Sequence, residues 1–185
     1  MKRAYVLLTR STTLISRAIS ACTRDEFTHA SIALDARLDS LYSFARRHPA
    51  APLPAGLVRE RLDGGFFDEH RYIPCALYAL ELSDDAHRRL ALRIDGMLAR
   101  RRALRYSLRG LMLCKMGVAE ARRDRYFCSQ FVGEMLEASG EVRLPKPPSL
   151  LRPQDFARLP DLKCVYKGRL SGLMHDPARM LEKIC

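Results

Sequence analysis

Cys128 occupies the position in its helix that a nucleophilic cysteine requires. In the run CSQFVGEMLEAS, apolar residues follow Cys128 at intervals of four, seven and eight positions, at Val132, Met135 and Leu136. This spacing marks one helix face and predicts a helix over residues 127–139. The unpaired N–H groups and the dipole at a helix start stabilise a thiolate, which is the reactive form of cysteine. The sequence therefore allows thiol chemistry at Cys128.

The same spacing also fits a cysteine that only packs in the core, so a catalytic Cys128 requires an imidazole as its base. His29 is the best placed histidine. It lies at the start of the run THASIALD, in which polar and apolar residues alternate as in a half-buried strand. The other histidines fall in predicted loops, on a charged helix or in the tail: His48, His70, His87 and His175. Cys128 and His29 are thus a candidate nucleophile and base.

Two segments in this order, THASIALD and YFCSQFVGEML, resemble the circularly permuted NlpC-type papain-like cysteine hydrolases, the YiiX-like group. The earlier LLTRSTTLISRAI and the later RPQDF are also similar to segments of that group, so the resemblance runs from Tyr5 to about Phe156. In the ordinary papain order the cysteine precedes the histidine. Here the histidine strand comes first, as the permuted branch implies.

The resemblance implies an α+β, papain-like fold in which a small antiparallel sheet packs against the helix that begins at the cysteine. It implies an acyl-enzyme reaction on an amide, ester or thioester, with a peptide, amide or lipid ester as substrate and no cofactor or metal. Cys128 would be the nucleophile and His29 the general base. The backbone N–H of Cys128 would help to bind the oxyanion.

The resemblance also implies a third, polar residue on the strand after His29, which would orient the imidazole. That strand reads SLYSF and has no histidine, glutamate or asparagine. If the hairpin turns about Ala36, Ser43 lies opposite His29 and becomes the predicted orienting residue. Asp35 and Glu60 stay open as alternatives.

The remaining elements follow from periodicity and from turn residues. We expect strands over residues 3–9, 40–44, 72–82 and 163–167, and helices over residues 11–21, from Ser83 onward, and at the C-terminus. Prolines and glycines predict a long ordered loop over residues 46–65. Residues 105–117 are expected to be a connecting segment, and the four prolines of PKPPSLLRP to prevent regular structure.

The charge of the chain defines the competing function. The net charge is +11 and the excess is mostly arginine, clustered in residues 88–105 and 122–125. A basic surface of this kind suits an acidic partner, so the alternative to an enzyme is a non-catalytic binding module for nucleic acid or anionic lipid. No nucleic-acid-binding motif accompanies the arginines, so we expect no specific nucleic-acid contact, whereas peripheral contact with anionic surfaces fits the charge.

Length and composition are those of one globular domain over residues 1–185. No export signal and no apolar run of membrane-spanning length is visible, which predicts a cytoplasmic protein. Its six cysteines should then be free thiols, and they form no CxxC pair or cysteine–histidine cluster of the kind that binds zinc.

Overall fold

The structure, a computed structural model, describes residues 1–10, 25–48 and 51–174. Its strands are β1 (Lys2–Thr9), β2 (His29–Ala33), β3 (Leu41–His48), β4 (Ala51–Glu60), β5 (Pro74–Leu82), β6 (Arg105–Tyr106), β7 (Arg125–Tyr126) and β8 (Lys163–Arg169). Six of them form one antiparallel sheet in the order β4-β3-β2-β1-β5-β8, while β6 and β7 pair in parallel. The α+β class expected from the sequence is confirmed.

The helices are α1 (Gly65–Glu69), α2 (Asp84–Ala99), α3 (Leu108–Lys115), α4 (Cys128–Ala138), α5 (Pro153–Phe156) and α6 (Ser171–Met174), with a 3-10 turn at Pro148–Leu150. Helix α2 starts where the sequence predicted, because the Ser83 hydroxyl accepts a hydrogen bond of 3.1 Å from the Ala86 N–H. No helix in the described part of the chain has the length and apolar content needed to cross a bilayer.

The sheet is covered on both faces. One face packs against α2 and α4 through side chains such as Ile94 and Phe131, and the other against α1 and α6 through Phe67 and Leu173. A fully buried side chain of this size contributes about 2 kcal/mol through the hydrophobic effect. Strand β2 was expected to be half-buried, and this was wrong: Ala30 to Ala33 are all buried because both faces are covered.

Helix α4 is fixed against the sheet and against the proline-rich segment that follows it. It contacts β2 and β3 on one side and the 3-10 turn on the other. A side chain at Gly133 would place its Cβ 2.5 Å from Leu151 Cδ1, so this close approach requires glycine. Ser129 donates a 2.7 Å hydrogen bond to the carbonyl oxygen of Leu151. The start of α4 is therefore held in place by a side chain as well as by packing.

Three predictions about the elements were wrong. Strand β4 lies where a loop was expected. Its two prolines are tolerated because β4 is an edge strand, where an N–H that faces away from the sheet is not needed for strand pairing. Helix α3 lies where a connecting segment was expected, because the Ser107 hydroxyl caps it by accepting from the Gly110 N–H. The four-proline segment contains the 3-10 turn and leads into α5, since proline is well suited to the first helical position.

The predicted hairpin register was also wrong. The structure pairs Ile32 with Tyr42 and Ala33 with Leu41, which is a shift of two residues from the register that would set Ser43 opposite His29. Because strand side chains alternate with a period of two, a shift of two leaves every residue on its expected face. The predicted helices over residues 11–21 and at the end of the chain lie wholly or mainly outside the described residues.

Candidate active site

Cys128 is the first residue of α4, as the sequence predicted. The preceding residue, Phe127, is in an extended conformation and has no side chain that could cap the helix. The first intrahelical bond runs from the Phe131 N–H to the Phe127 carbonyl, so the N–H groups of the opening turn point out of the helix. The Cys128 side chain is buried, with 4% of its surface exposed. A negative charge on its sulfur would therefore lie at the positive end of the helix dipole.

His29 lies beside this thiol. Strand β2 is hydrogen-bonded to β1 along its whole length, and Thr9 stands opposite His29 in that ladder. The imidazole lies close enough to Cys128 to interact with the thiol through its charge and its ring N–H. The backbone N–H groups of Ala30 and Ser129 also act on the sulfur. The thiol thus lies among three donor groups that favour its ionised form.

Glu60, the last residue of β4, holds the other side of the imidazole. Its Oε2 atom lies 3.3 Å from His29 Nε2 and accepts hydrogen bonds from the hydroxyls of Ser31, at 2.9 Å, and Ser43, at 2.6 Å. The side chains of His29 and Glu60 are each 13% exposed. Since Nε2 faces Glu60, the ring nitrogen left for the thiol is Nδ1. Glu60, His29 and Cys128 therefore form a continuous chain of contacts.

The pKa shifts of the three groups follow from this contact. Burial lowers the pKa of His29, but the charge of Glu60 and hydrogen bonds to Cys128 and Glu60 outweigh it and raise the pKa to about 10. Burial raises the pKa of Glu60, yet His29 and the two serine hydroxyls bring it below its usual range. At neutral pH this site holds an imidazolium against a carboxylate.

Cys128 and Cys75 show what the histidine does to a buried thiol. Burial raises the pKa of Cys75 to about 12, because nothing opposes the loss of solvent. Burial also raises the pKa of Cys128, but the hydrogen bond and charge of His29, with the N–H groups of Ala30 and Ser129, reverse the direction and lower it. The surroundings of Cys128 therefore favour the thiolate, which is the nucleophilic form of cysteine.

A small cleft, partly open to solvent, reaches the thiol. Its walls are apolar where Phe27, Leu111 and Leu151 contribute, and its polar groups include Tyr106 and Lys115. Burial and the charge of Cys128 raise the pKa of Tyr106 well above its ordinary value of 10, so its hydroxyl stays protonated. A substrate that enters the cleft would meet the Cys128 sulfur and a neutral hydroxyl donor.

The structure brings Cys128 and His29 together, whereas Ser43 reaches His29 only through Glu60. Ser43 is completely buried, and its hydroxyl donates to Glu60 rather than contacting His29. Asp35, the other alternative, follows the far end of β2 and accepts a hydrogen bond of 3.3 Å from the Asp39 N–H in the turn there. Glu60, the remaining alternative, is the residue in contact with the imidazole.

Sequence reasoning missed the roles of Ser31 and Tyr106. Ser31 was visible as a polar residue two positions after His29, and therefore on the same strand face. Tyr106 carried no comparable signal, because it belongs to the two-residue strand β6 in a stretch expected to be irregular. In the described part of the chain, no group of three or more histidine, cysteine, aspartate or glutamate side chains could hold a metal ion.

Replacing Glu60 and Ser43 in turn distinguishes the group that acts on His29. We expect Glu60→Gln to slow the alkylation of Cys128 by iodoacetamide at pH 7 about fivefold, because it removes the charge that raises the pKa of His29 but retains the side-chain shape. Ser43→Ala should change this rate less than about twofold, since the hydroxyl acts only through Glu60. The rate is measured by mass spectrometry of the peptide that contains Cys128.

Both variants are checked for folding by thermal unfolding, because each removes a buried polar group. If Ser43→Ala slows the alkylation of Cys128 more than Glu60→Gln does, the two assignments are reversed and Ser43 is the residue that positions His29.

Comparison of the chain with family models, with curated proteins and with solved structures finds no match in any of the three.

Proposed function

We propose that this protein is a cysteine-dependent hydrolase or acyltransferase that forms an acyl-enzyme at Cys128. The observation that carries the proposal is the pairing of the Cys128 thiol, at the start of α4, with His29, whose ring lies against the largely buried carboxylate of Glu60. A structural cysteine has no need of such a pair. The order of strand histidine and helix cysteine along the chain is also that of the permuted papain-like hydrolases, and we infer the same fold here.

The resting ionisation of the pair determines the first step. Because the pKa of His29 is raised to about 10 and that of Cys128 is lowered, the proton already resides on the imidazole. The thiolate attacks the acyl carbon, and its carbonyl oxygen becomes an oxyanion. In this proposal the backbone N–H of Cys128, in the opening turn of α4, and the hydroxyl of Tyr106, which lines the same cleft, donate to that charge. His29 thus acts first as a general acid, with the deprotonation already complete.

The second half of the reaction returns the proton. His29 donates its proton to the leaving nitrogen, oxygen or sulfur, and the acyl group remains on Cys128 as a thioester. The neutral imidazole then takes a proton from water, or from an alcohol or amine acceptor, which attacks the thioester carbon. Collapse of this second intermediate expels the thiolate and restores the imidazolium. Glu60 keeps the ring in place and stabilises its charge in both halves.

Acylation by an activated ester tests the proposal without knowledge of the natural substrate. We expect p-nitrophenyl acetate to add one acetyl group to Cys128, because a thiolate beside an imidazolium is reactive at neutral pH. Intact-mass and peptide mass spectrometry locate the group. Cys164 provides a matched comparison, since its thiol is exposed and its hydrogen-bond partners in the described residues are Tyr166 and Tyr78 rather than a histidine.

Two variants complete the design. Cys128→Ala should abolish the adduct, whereas Cys75→Ala, which removes another buried thiol, should leave it unchanged. If Cys164 is acetylated faster than Cys128 at pH 7, the proposal of a catalytic thiol is wrong and the non-catalytic binding module is favoured. The cytoplasmic location predicted from the sequence would keep the thiol reduced, as the reaction requires.

A further inference from the structure

Helix α3 and the turn after it expose an unusual concentration of large apolar side chains. Seven such residues are exposed in the described part of the chain, and four of them lie within residues 108–118: Leu108 (49%), Met112 (58%), Met116 (72%) and Val118 (47%). The other three are scattered, at Met1, Tyr72 and Leu92. Single exposed apolar residues are ordinary, but a cluster in one short segment marks an interaction surface.

These side chains form a stripe because of their spacing on α3. Leu108, Met112 and Met116 are four residues apart, so they follow one line along the helix. On the opposite side of the helix the buried residues are Gly110, where a side chain would meet Ser107, and Cys114. The helix is therefore docked by its small residues while its large apolar residues face outward. We call Leu108, Met112, Met116 and Val118 the apolar stripe.

Positive charge surrounds the apolar stripe. Residues 100–125 contain nine lysine and arginine residues against two acidic ones, a net charge of +7 out of the +11 of the whole chain. Arg109 and Lys115 lie on α3 to either side of the stripe, at about 100° per residue around the helix. The exposed Arg122 and Arg123 follow in the next segment, which is tied to α3 by the ion pair of Arg109 with Glu120 at 3.2 Å.

We propose that this surface binds an anionic lipid membrane. An apolar stripe flanked by lysine and arginine is the pattern of a helix that lies in the membrane interface, with its apolar side chains among the acyl chains and its cations at the headgroups. Each cation near an anionic bilayer contributes about 1 kcal/mol, a gain that a neutral membrane cannot supply. The charge complementarity selects a membrane over a second copy of this chain, whose own basic surface would repel it.

The apolar stripe also borders the cleft. Leu111, Cys114 and Lys115 of the same helix line the cavity that reaches Cys128. A membrane-bound α3 would therefore place the mouth of this cleft at the lipid surface, where an acyl chain attached to an anionic headgroup could enter along Leu111. This second step rests on the proposed function and makes a lipid ester or lipid amide the substrate class. Membrane binding itself does not depend on catalysis.

Vesicle co-sedimentation tests the membrane contact with the full chain. We expect the protein to sediment with vesicles of equal parts phosphatidylglycerol and phosphatidylcholine, and to bind vesicles of phosphatidylcholine alone about tenfold or more weakly. Replacing Leu108, Met112 and Met116 together by serine should weaken binding to the mixed vesicles about tenfold or more. Leu92→Ser is the matched control, since Leu92 is 64% exposed on α2 and outside the stripe, and it should bind as the parent protein does.

A second pair of variants separates the charge from the apolar contact. Arg122→Gln with Arg123→Gln should weaken binding to the mixed vesicles severalfold, whereas Arg143→Gln with Arg158→Gln, which remove the same charge elsewhere on the surface, should have a smaller effect. Cys128→Ala should bind vesicles as tightly as the parent protein. If Cys128 of the parent protein is not acetylated but the parent protein still binds vesicles, the proposed enzyme is refuted and the membrane surface is supported.

Three results would overturn the membrane proposal. One is equal sedimentation with neutral and anionic vesicles, or with neither. Another is unchanged binding by the triple serine variant, provided that its circular dichroism and thermal unfolding match those of the parent. The third is a dimer in sedimentation-velocity runs that the triple variant dissociates, which would assign the stripe to a second copy of the chain.

Discussion

Replacing His29 by alanine should slow the alkylation of Cys128 at pH 6 about tenfold or more. An ordinary thiol with a pKa near 9 is only about one part in a thousand ionised at this pH, and His29 is the main group that opposes the effect of burial on Cys128. Part of the gain in thiolate is offset because a less basic thiolate is a weaker nucleophile. Acylation by p-nitrophenyl acetate should fall by a similar factor, because the same thiolate attacks and the nitrophenolate leaves without a proton.

The pH profile makes this result specific. In the parent protein the alkylation rate should rise less steeply from pH 6 to pH 8 than for an ordinary thiol, because His29 lowers the pKa of Cys128. In His29→Ala it should rise about tenfold per pH unit, as for any thiol below its pKa. His87→Ala is the control: this imidazole contacts the Leu34 carbonyl at 3.1 Å and should leave the profile unchanged. A flat profile in His29→Ala would mean that His29 does not control the thiol.

The parts of the site that the sequence predicted are those determined by local interactions. The start of α4 at Cys128 follows from helical spacing over one continuous segment, and Ser83 as the cap of α2 follows from a side chain and a backbone group three residues apart. His29 at the start of β2 follows from alternation over a few residues. These features require no knowledge of what packs against them.

Glu60 could not be chosen from sequence for the opposite reason. Its contact with His29 joins residues 31 positions apart and exists only because β4 pairs with β3. The prolines of β4 argued against a strand, and no local feature indicated that β4 would lie at the edge of the sheet, where prolines are tolerated. Ser43 was selected on an incorrect register, but the strand period kept it on the same face, so it still reached the site, at Glu60.

The dependence of stability on pH should reveal how many protons Cys128 and His29 hold in the folded state. His29, whose folded-state pKa is raised from 6.5 to about 10, alone contributes stability that is complete below pH 6.5 and is lost as the pH rises through about 10. Cys128, whose folded-state pKa is lowered, alone contributes stability that is complete above its unfolded value of 9.0 and is lost as the pH falls through its folded value.

Together the two opposite slopes cancel. In the proposed ion pair, the folded state holds one proton between pH 6.5 and 9.0, on His29, and the unfolded state also holds one, on Cys128. The pair therefore adds no pH dependence in this window. Cys128→Ala breaks the balance: the folded state keeps the proton on His29 through the charge of Glu60, while the unfolded state has none. Its stability should fall by about 1.4 kcal/mol per pH unit above pH 6.5, up to the folded-state pKa of His29 in that variant.

Urea unfolding of the parent protein and of Cys128→Ala between pH 6.5 and 9.0 measures this difference in stability. The other titrating groups are the same in the two proteins, so their contributions cancel. Cys75→Ala is the matched control. Its thiol has a pKa raised from 9.0 to about 12 by burial, so it holds its proton in both states below pH 9.0 and its removal lowers stability by a constant amount. Parallel curves for the parent protein and Cys128→Ala would contradict this proton count. A widening gap would show that the folded parent pair holds a single proton, while His29 in Cys128→Ala keeps one through Glu60.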